Sequence, residues 1–193
     1  MAEPRKFWMR WRVRAGYPIA ALFWIFARPS TRSIALGGII AGFGLLIRGL
    51  AAGHLQKNRE LATTGPYSVT RNPLYFGSAL LAAGFAIAGG SWADAAMVIA
   101  YFAVFYYAVM RNEEEDLRKR FGTAFDEYAQ RVPLFFPRPL ARASAPSPVT
   151  SFAAKNFSWT LYRRNREYNA LVGTLVGMGL LWLRMWLHGR FGR

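Results

Sequence analysis

An arginine stands beside a predicted helix start in the stretch TTGPYSVTRNPLYFG, residues 63–77. Its Gly-Pro pair favours a turn, and Pro73 suits the first turn of a helix, so Arg71 and Asn72 should lie at the cap of that helix. The N–H groups of a helix start and a guanidinium both attract anions. The pattern therefore predicts an anion site. The alternative is an arginine that only extends to the membrane surface.

Two further polar clusters carry groups that could act with this arginine. GHLQKNREL, residues 53–61, contains His54 and Lys57, and NEEEDLRKRFG, residues 112–122, contains three successive glutamates. If the preceding helix ends near Met110, these carboxylates lie at a helix C-terminus, where they are unfavourable, and this suggests a function. The alternative is the solvated face of a helix that continues past the membrane. No histidine stands at ligand spacing from the glutamates, so no metal site is predicted.

The composition is that of a membrane protein. The 193 residues are 53% hydrophobic and 16% aromatic, more than an ordinary soluble domain carries. The net charge of +15 is better explained by anionic lipid head groups than by nucleic acid, because basic residues alternate with apolar runs and no nucleic-acid motif accompanies them. The chain has no cysteine, which excludes disulfides and thiol catalysis. We predict a protein that lies in the membrane and does not bind nucleic acid.

Five apolar segments are predicted to span the membrane as an all-α, polytopic helix bundle. The last four each approach the roughly 20 residues that a span needs, and the first is preceded by an interfacial part that begins near Phe7. Gly89-Gly90-Ser91 predicts a tight turn and hence a helical hairpin, and Gly38 with Gly42 predicts a face for close helix packing. The segments are residues 17–27, 34–53, 73–88, 92–110 and 170–187.

Lysine and arginine are unevenly distributed between the loops, which predicts a cytoplasmic N-terminus. The three polar clusters then share the cytoplasmic face, where a soluble cofactor can reach them. Residues 140–156, rich in alanine, serine and proline, are predicted to be a linker. It separates a core, residues 1–139, from residues 157–193, which comprise a basic amphipathic segment and the last span.

The pattern GPYSVTRNPLYFG, then a glutamate pair, then L…FG…Y…VP…P, resembles the isoprenylcysteine carboxyl methyltransferase and phospholipid methyltransferase superfamily. Those integral-membrane enzymes use S-adenosylmethionine, and the resemblance covers roughly residues 48–139. It implies methyl transfer to a lipid or lipid-linked acceptor, with an amine head group, an isoprenoid and a prenyl-cysteine carboxylate all open. AAGHL, residues 51–55, is similar to the bacterial branch, which implies a bacterial inner membrane.

Site residues are predicted from the resemblance, from the chemical groups of the cofactor, and, for the acceptor, from positions near the start of the third helix. Arg71 is expected to bind the cofactor carboxylate, Glu113 or Glu114 its ammonium or ribose, and His54 or Tyr67 its adenine. Glu114, His54 and Arg71 are the catalytic candidates; the first two would deprotonate an amine, whereas a carboxylate acceptor needs no base. The expected cofactor-binding residues are His54, Lys57, Gly65, Pro66, Tyr67, Arg71, Asn72, Pro73, Tyr75, Glu113 and Glu114. The expected acceptor-binding residues are Tyr75, Phe76, Leu80 and Arg138.

Two other functions compete with this interpretation. Some membrane sterol reductases share a related arginine-histidine-proline-x-tyrosine pattern and bind a nicotinamide cofactor, but the pair Glu113 and Glu114 would repel its extra phosphate. A non-catalytic scaffold or small transporter is the other. Charged residues at one membrane face, instead of in the middle of the helices, argue against a transport route.

Overall fold

The computed structural model describes residues 4–56, 60–138 and 157–191. These residues form seven α-helices, one short 3-10 helix and no strand, so the all-α prediction is confirmed. Lys57 and the predicted linker lie outside the described residues. The helices are α1 (Pro4–Phe26), α2 (Thr31–His54), α3 (Pro73–Gly89), α4 (Trp92–Phe121), α5 (Thr123–Arg131), α6 (Trp159–Arg164) and α7 (Tyr168–Phe191), and the 3-10 helix is Gly65–Ser68.

Three helices are long and apolar enough to cross a bilayer: α2, α4 and the Tyr168–Arg190 part of α7. Only 22%, 17% and 11% of an apolar 18-residue stretch in each of these helices, respectively, is buried inside the protein. Such apolar surface is costly in water, so lipid must cover it. Two shorter apolar helices, Gly16–Phe26 and Pro73–Gly89, accompany them. The protein is a membrane helix bundle.

The chain divides into two compact units. The first comprises Met1–Phe43, Ala79–Asn112 and Leu171–Arg193, and the second comprises Gly44–Ser78 and Glu113–Ala170. Helices α2, α3, α4 and α7 contribute residues to both. All three polar clusters except Asn112 fall in the second unit, which therefore contains the candidate site.

The local turn predictions are confirmed. Helix α3 begins at Pro73, whose missing N–H is not needed in a first helical turn. It ends at Gly89, and α4 begins at Trp92. Between them Gly90 adopts a φ of +68°, a left-handed conformation that favours glycine.

The prediction that the helix of the fourth apolar segment ends near Met110, just before the glutamates, is wrong. Helix α4 continues to Phe121, so the three glutamates lie inside a helix and no unfavourable helix end exists there. The last turn carries Arg118, Lys119 and Arg120, whose positive charges suit the C-terminal end of the macrodipole. Gly122, with a φ of +54°, then breaks the helix.

The predicted packing face at Gly38 and Gly42 is also wrong, because a Cβ atom at either position would meet nothing within 4 Å. The close contact lies one residue earlier. A Cβ at Gly37 would lie 2.7 Å from the Cβ of Ala88, and a Cβ at Gly84 would lie 2.6 Å from the carbonyl oxygen of Gly37. One residue turns the packing face by about 100°, so the face that packs is the one that carries Gly37 and Ala41.

Gly37→Ala is expected to lower the stability of this contact by about 1–3 kcal/mol, because the added methyl group overpacks the helix pair. Gly38→Ala is the matched control. It should be neutral or stabilising by up to about 1 kcal/mol, since alanine favours a helix over glycine. Thermal unfolding in detergent would measure both, and equal melting temperatures would contradict the packing.

Candidate active site

An ion pair between a half-buried arginine and a buried glutamate joins the start of α3 to α4. Arg71 precedes the first residue of α3, and its Nη1 lies 2.5 Å from Oε1 of Glu114. The two side chains are 15% and 10% exposed. The guanidinium carbon also lies 6.0 Å from the centroid of the Phe125 ring, and the backbone N–H of Arg71 donates to Pro133. The arginine is thus held by a carboxylate, a ring and its own backbone.

The arginine retains one unused donor. Its Nε is buried and has no hydrogen-bond partner among the described residues. A buried N–H without a partner is costly, so such groups occur where a ligand or water completes the bonding. The Nε–H group can therefore donate a hydrogen bond to one further oxygen atom, from a ligand or from water.

The neighbouring glutamate has a different environment. The Tyr75 hydroxyl donates to Oε2 of Glu113 at 2.8 Å, and Glu113 is exposed whereas Glu114 is buried. Successive residues on a helix do not share a face. The two carboxylates therefore present two separate acceptors, one facing Arg71 and one bonded to Tyr75.

The loop that carries Arg71 is fastened to α5 and the segment that follows it. Besides the bond from the Arg71 N–H to Pro133, four hydrogen bonds shorter than 3.2 Å connect them, and the hydroxyl of Thr70 and the amide of Asn72 both donate to backbone carbonyls there. Because these donors come from a loop, they restrict where Arg71 can stand. The bonds are Tyr128 Oη to Tyr67 O at 2.6 Å, Thr70 Oγ1 to Phe135 O at 2.9 Å, Asn72 Nδ2 to Leu134 O at 3.0 Å and Arg138 N to Val69 O at 3.0 Å.

The two buried tyrosines of this loop contact stay neutral. Burial, with the nearby Tyr128 and Glu113, raises the pKa of Tyr67 well above its usual value. Burial also raises the pKa of Tyr128, and the positive charge of Arg71 only partly offsets it. The Tyr128 hydroxyl therefore keeps its proton and donates to the Tyr67 carbonyl at any physiological pH.

His54 is the last residue of α2, and its ring is fixed from two directions. Its Nδ1 lies 2.8 Å from the carbonyl oxygen of Leu50, which can only accept, so Nδ1 carries the hydrogen. In the neutral ring, Nε2 is then the acceptor. The ring also lies against Gly65, where a Cβ would come within 2.6 Å of Nε2. Gly65 has a φ of +61°, so only glycine suits both the backbone and the space.

The structure brings the predicted residues together in two groups. One contains Arg71, Glu114, Tyr75 and Glu113, and the other contains His54 and Gly65, with Tyr67 in the loop between them. Their binding roles stay predictions.

Three of the predicted acceptor residues, Tyr75, Phe76 and Leu80, lie in the first turns of α3, and Arg138 follows α5. Phe76 is half-buried and meets Phe135 edge-on at 5.7 Å, and Arg138 is exposed. Leu80 belongs to the first unit. Their roles also stay predictions.

Sequence reasoning missed several residues of this site. Thr70 and Phe125 are almost completely buried behind Arg71. Glu167 forms an ion pair with Arg48 of α2, with 2.5 Å between Oε1 and Nε. A signal was present: Glu167 is the only acidic residue after Glu127, in a basic region, and Arg48 is the only charged residue of the second apolar segment. A charged residue isolated in this way needs a partner of opposite charge, and these two residues suit each other.

A family model described as phospholipid methyltransferase matches residues 35–124. Two curated relatives are the nickel-cobalt-cadmium resistance protein NccN of Alcaligenes xylosoxydans xylosoxydans and the cobalt-zinc-cadmium resistance protein CzcN of Cupriavidus metallidurans. Each is 43% identical over 83 residues, which cover 43% of this chain and 38% of the relative. The chain thus spans well under half the length of these relatives. No solved structure matches significantly. The matched stretch includes both groups of the site, and the match is consistent with the isoprenylcysteine and phospholipid methyltransferase superfamily.

Proposed function

We propose that the protein transfers a methyl group from S-adenosylmethionine to a lipid or lipid-linked acceptor in the membrane. The observation that carries this proposal is the buried pair of Arg71 and Glu114 inside the family-matched stretch. The proposal includes a cytoplasmic N-terminus and a bacterial inner membrane.

The pair suits the amino-acid end of S-adenosylmethionine, which carries a carboxylate and an ammonium. Arg71 would bind the carboxylate and Glu114 the ammonium, so each protein charge exchanges one opposite charge for another. No charge is then left buried without a partner, which would cost about 3–5 kcal/mol. The Nε donor of Arg71 offers a further hydrogen bond to a carboxylate oxygen.

The remaining residues align the reactants. When bound, S-adenosylmethionine supplies an activated methyl group, and holding it in line with an acceptor accounts for most of the rate. The bonds from Tyr128, Thr70 and Asn72 keep the Arg71 loop rigid for this purpose. His54 presents Nε2 as an acceptor and can take the proton of an amine acceptor, a role that Glu114 shares. A carboxylate acceptor has no proton to lose, so it would need neither His54 nor Glu114 as a base.

The acceptor is proposed to be a lipid because the helices expose apolar surface that lipid covers. Tyr75 and Phe76 lie in the first turns of α3, in the same unit as the glutamates. An acceptor that arrives from the bilayer would meet these side chains first. Arg138 is exposed and carries a charge that suits a head-group phosphate.

The two relatives are named for resistance to nickel, cobalt, zinc and cadmium. We propose that this chain contributes to resistance of the same kind by methylating membrane lipid. Within residues 4–56, 60–138 and 157–191, no three His, Asp or Glu side chains lie close enough to hold a metal ion.

The test is transfer of a deuterated methyl group from S-adenosylmethionine to lipids in membranes that contain the protein, measured by mass spectrometry. The wild type should label a lipid fraction that control membranes leave unlabelled. Glu114→Gln should reduce kcat/KM at least about tenfold, which corresponds to about 1.4 kcal/mol. Glu115→Gln, at the next and exposed position of α4, is the matched control and should label normally. Wild-type membranes that label no lipid would contradict the proposed function.

A further inference from the structure

The C-terminal end of α2 is capped by a segment from far along the chain. The side-chain amide of Asn165 donates to the carbonyls of Ala52 at 2.9 Å and Leu55 at 3.0 Å, and the N–H of Ser158 donates to Gly53 at 3.1 Å. The last carbonyls of a helix have no partners within it. Residues 157–167, which we call the capping segment, supply those partners at the helix end that carries His54.

The capping segment also contacts His54 directly. The ring of Phe157 meets the imidazole at 6.4 Å between centroids, with 64° between the planes. Phe157 approaches α2 so closely that a Cβ at Gly53 would lie 3.1 Å from its Cγ and closer still to two other ring atoms. The imidazole therefore has Gly65 against its Nε2 edge and Phe157 as an aromatic neighbour.

A buried ion pair fixes the other end of the capping segment. Oε1 of Glu167 lies 2.5 Å from Nε of Arg48, and Glu167 is 8% exposed. The guanidinium of Arg48 also donates to the Ser78 hydroxyl and the Leu74 carbonyl. The segment is thus held at both ends, by hydrogen bonds at the α2 terminus and by a charge pair further back along α2.

We propose that the capping segment completes the cofactor site by positioning the His54 ring, although it lies outside the family-matched residues. Phe157, Asn165 and Glu167 are positioning residues in this scheme. The proposal rests on the proposed function, which gives His54 a part in binding the cofactor or in moving a proton. A segment that only braced the helix would affect stability and leave cofactor affinity unchanged.

The placement can be tested without any activity. The chain has two histidines, His54 and His188, so a protein labelled at its histidine rings gives two sets of imidazole signals. Phe157→Leu removes the aromatic ring and retains apolar bulk. In micelles, its His54 signals should shift, while those of His188, in the exposed last turns of α7, should not. Unchanged His54 signals would overturn the proposal.

The functional test is the affinity for S-adenosylhomocysteine, measured by calorimetric titration of the full chain in detergent. Phe157→Leu and Asn165→Ala should each weaken binding at least fivefold, and Phe157→Tyr, which retains the ring, should restore it. Thr160→Ala is the matched control, because Thr160 is exposed on α6 within the same segment.

The outcomes separate the two proposals. Variants that melt at a lower temperature yet bind as the wild type does would make the segment a brace and overturn this inference alone. Wild-type protein that binds no S-adenosylhomocysteine would overturn the proposed function, and with it the role of His54 in binding the cofactor.

Discussion

Arg71→Ala is expected to lower the affinity for S-adenosylhomocysteine by about 10- to 150-fold, because a hydrogen bond to a charged group contributes about 1.5–3 kcal/mol. It should also destabilise the fold, since it leaves Glu114 buried without its cation. The double variant Arg71→Met with Glu114→Gln removes both charges at similar volume. It should recover much of the melting temperature and still fail to bind.

A second arginine on α4 provides the control. Arg118 forms an ion pair with Asp126 at 2.7 Å and also lies over the Phe125 ring, but its side chain is 56% exposed. Exposed pairs contribute about 0–1 kcal/mol. Arg118→Met should therefore bind and unfold almost as the wild type does. If the double variant binds S-adenosylhomocysteine with wild-type affinity, Arg71 and Glu114 do not hold the cofactor.

Gly65→Ala should have the second largest effect, because it combines backbone strain with a collision. A left-handed φ of +61° costs an alanine about 1–2 kcal/mol. Its Cβ would also come within 2.6 Å of the His54 ring, and such overpacking costs about 1–3 kcal/mol more. We expect a lower melting temperature and, because His54 is displaced, weaker binding of S-adenosylhomocysteine.

Gly122→Ala separates the effect of backbone strain from that of the collision with His54. Gly122 has a similar φ of +54°, but a Cβ there would meet nothing within 4 Å. This variant should show the strain alone and bind the ligand normally. Because Gly122 has a ψ of −128°, outside the left-handed helical region, binding and not the size of the stability loss decides between the causes. Normal binding of S-adenosylhomocysteine by both variants would mean that His54 does not rest on Gly65.

The sequence predicts those features that depend on local chemistry. A proline at position 73 and a glycine at position 90 have backbone requirements of their own, so the start of α3 and the turn before α4 could be placed correctly. The end of α4 could not be placed from hydropathy. Hydropathy changes at the membrane surface, whereas a helix ends where its capping residues are, and here these are the basic last turn and Gly122.

Features that depend on tertiary contacts were beyond local patterns. Gly37 and Gly38 are adjacent glycines in one apolar run, so local sequence does not distinguish them. Only the position of Ala88 decides which of them packs. The joint spacing of the motifs predicted Arg71 and Glu114 as site residues, but not that they form an ion pair. Asn165 and Phe157 belong to no recognisable motif, and their role becomes visible only when the end of α2 is seen beside them.

The pair of Arg48 and Glu167 also sets an order of events during synthesis. The two residues are 119 positions apart, so at about 5–20 residues per second Glu167 leaves the ribosome roughly 6–24 s after Arg48. During that interval the arginine has no carboxylate partner within its own helix, so its charge depends on water or lipid head groups. The Arg71 group can form once the chain has been made as far as Arg138, whose N–H donates to the Arg71 loop. The His54 group needs the capping segment, which is synthesised later. The nascent protein therefore passes through a stage in which only one of the two groups of the site is assembled.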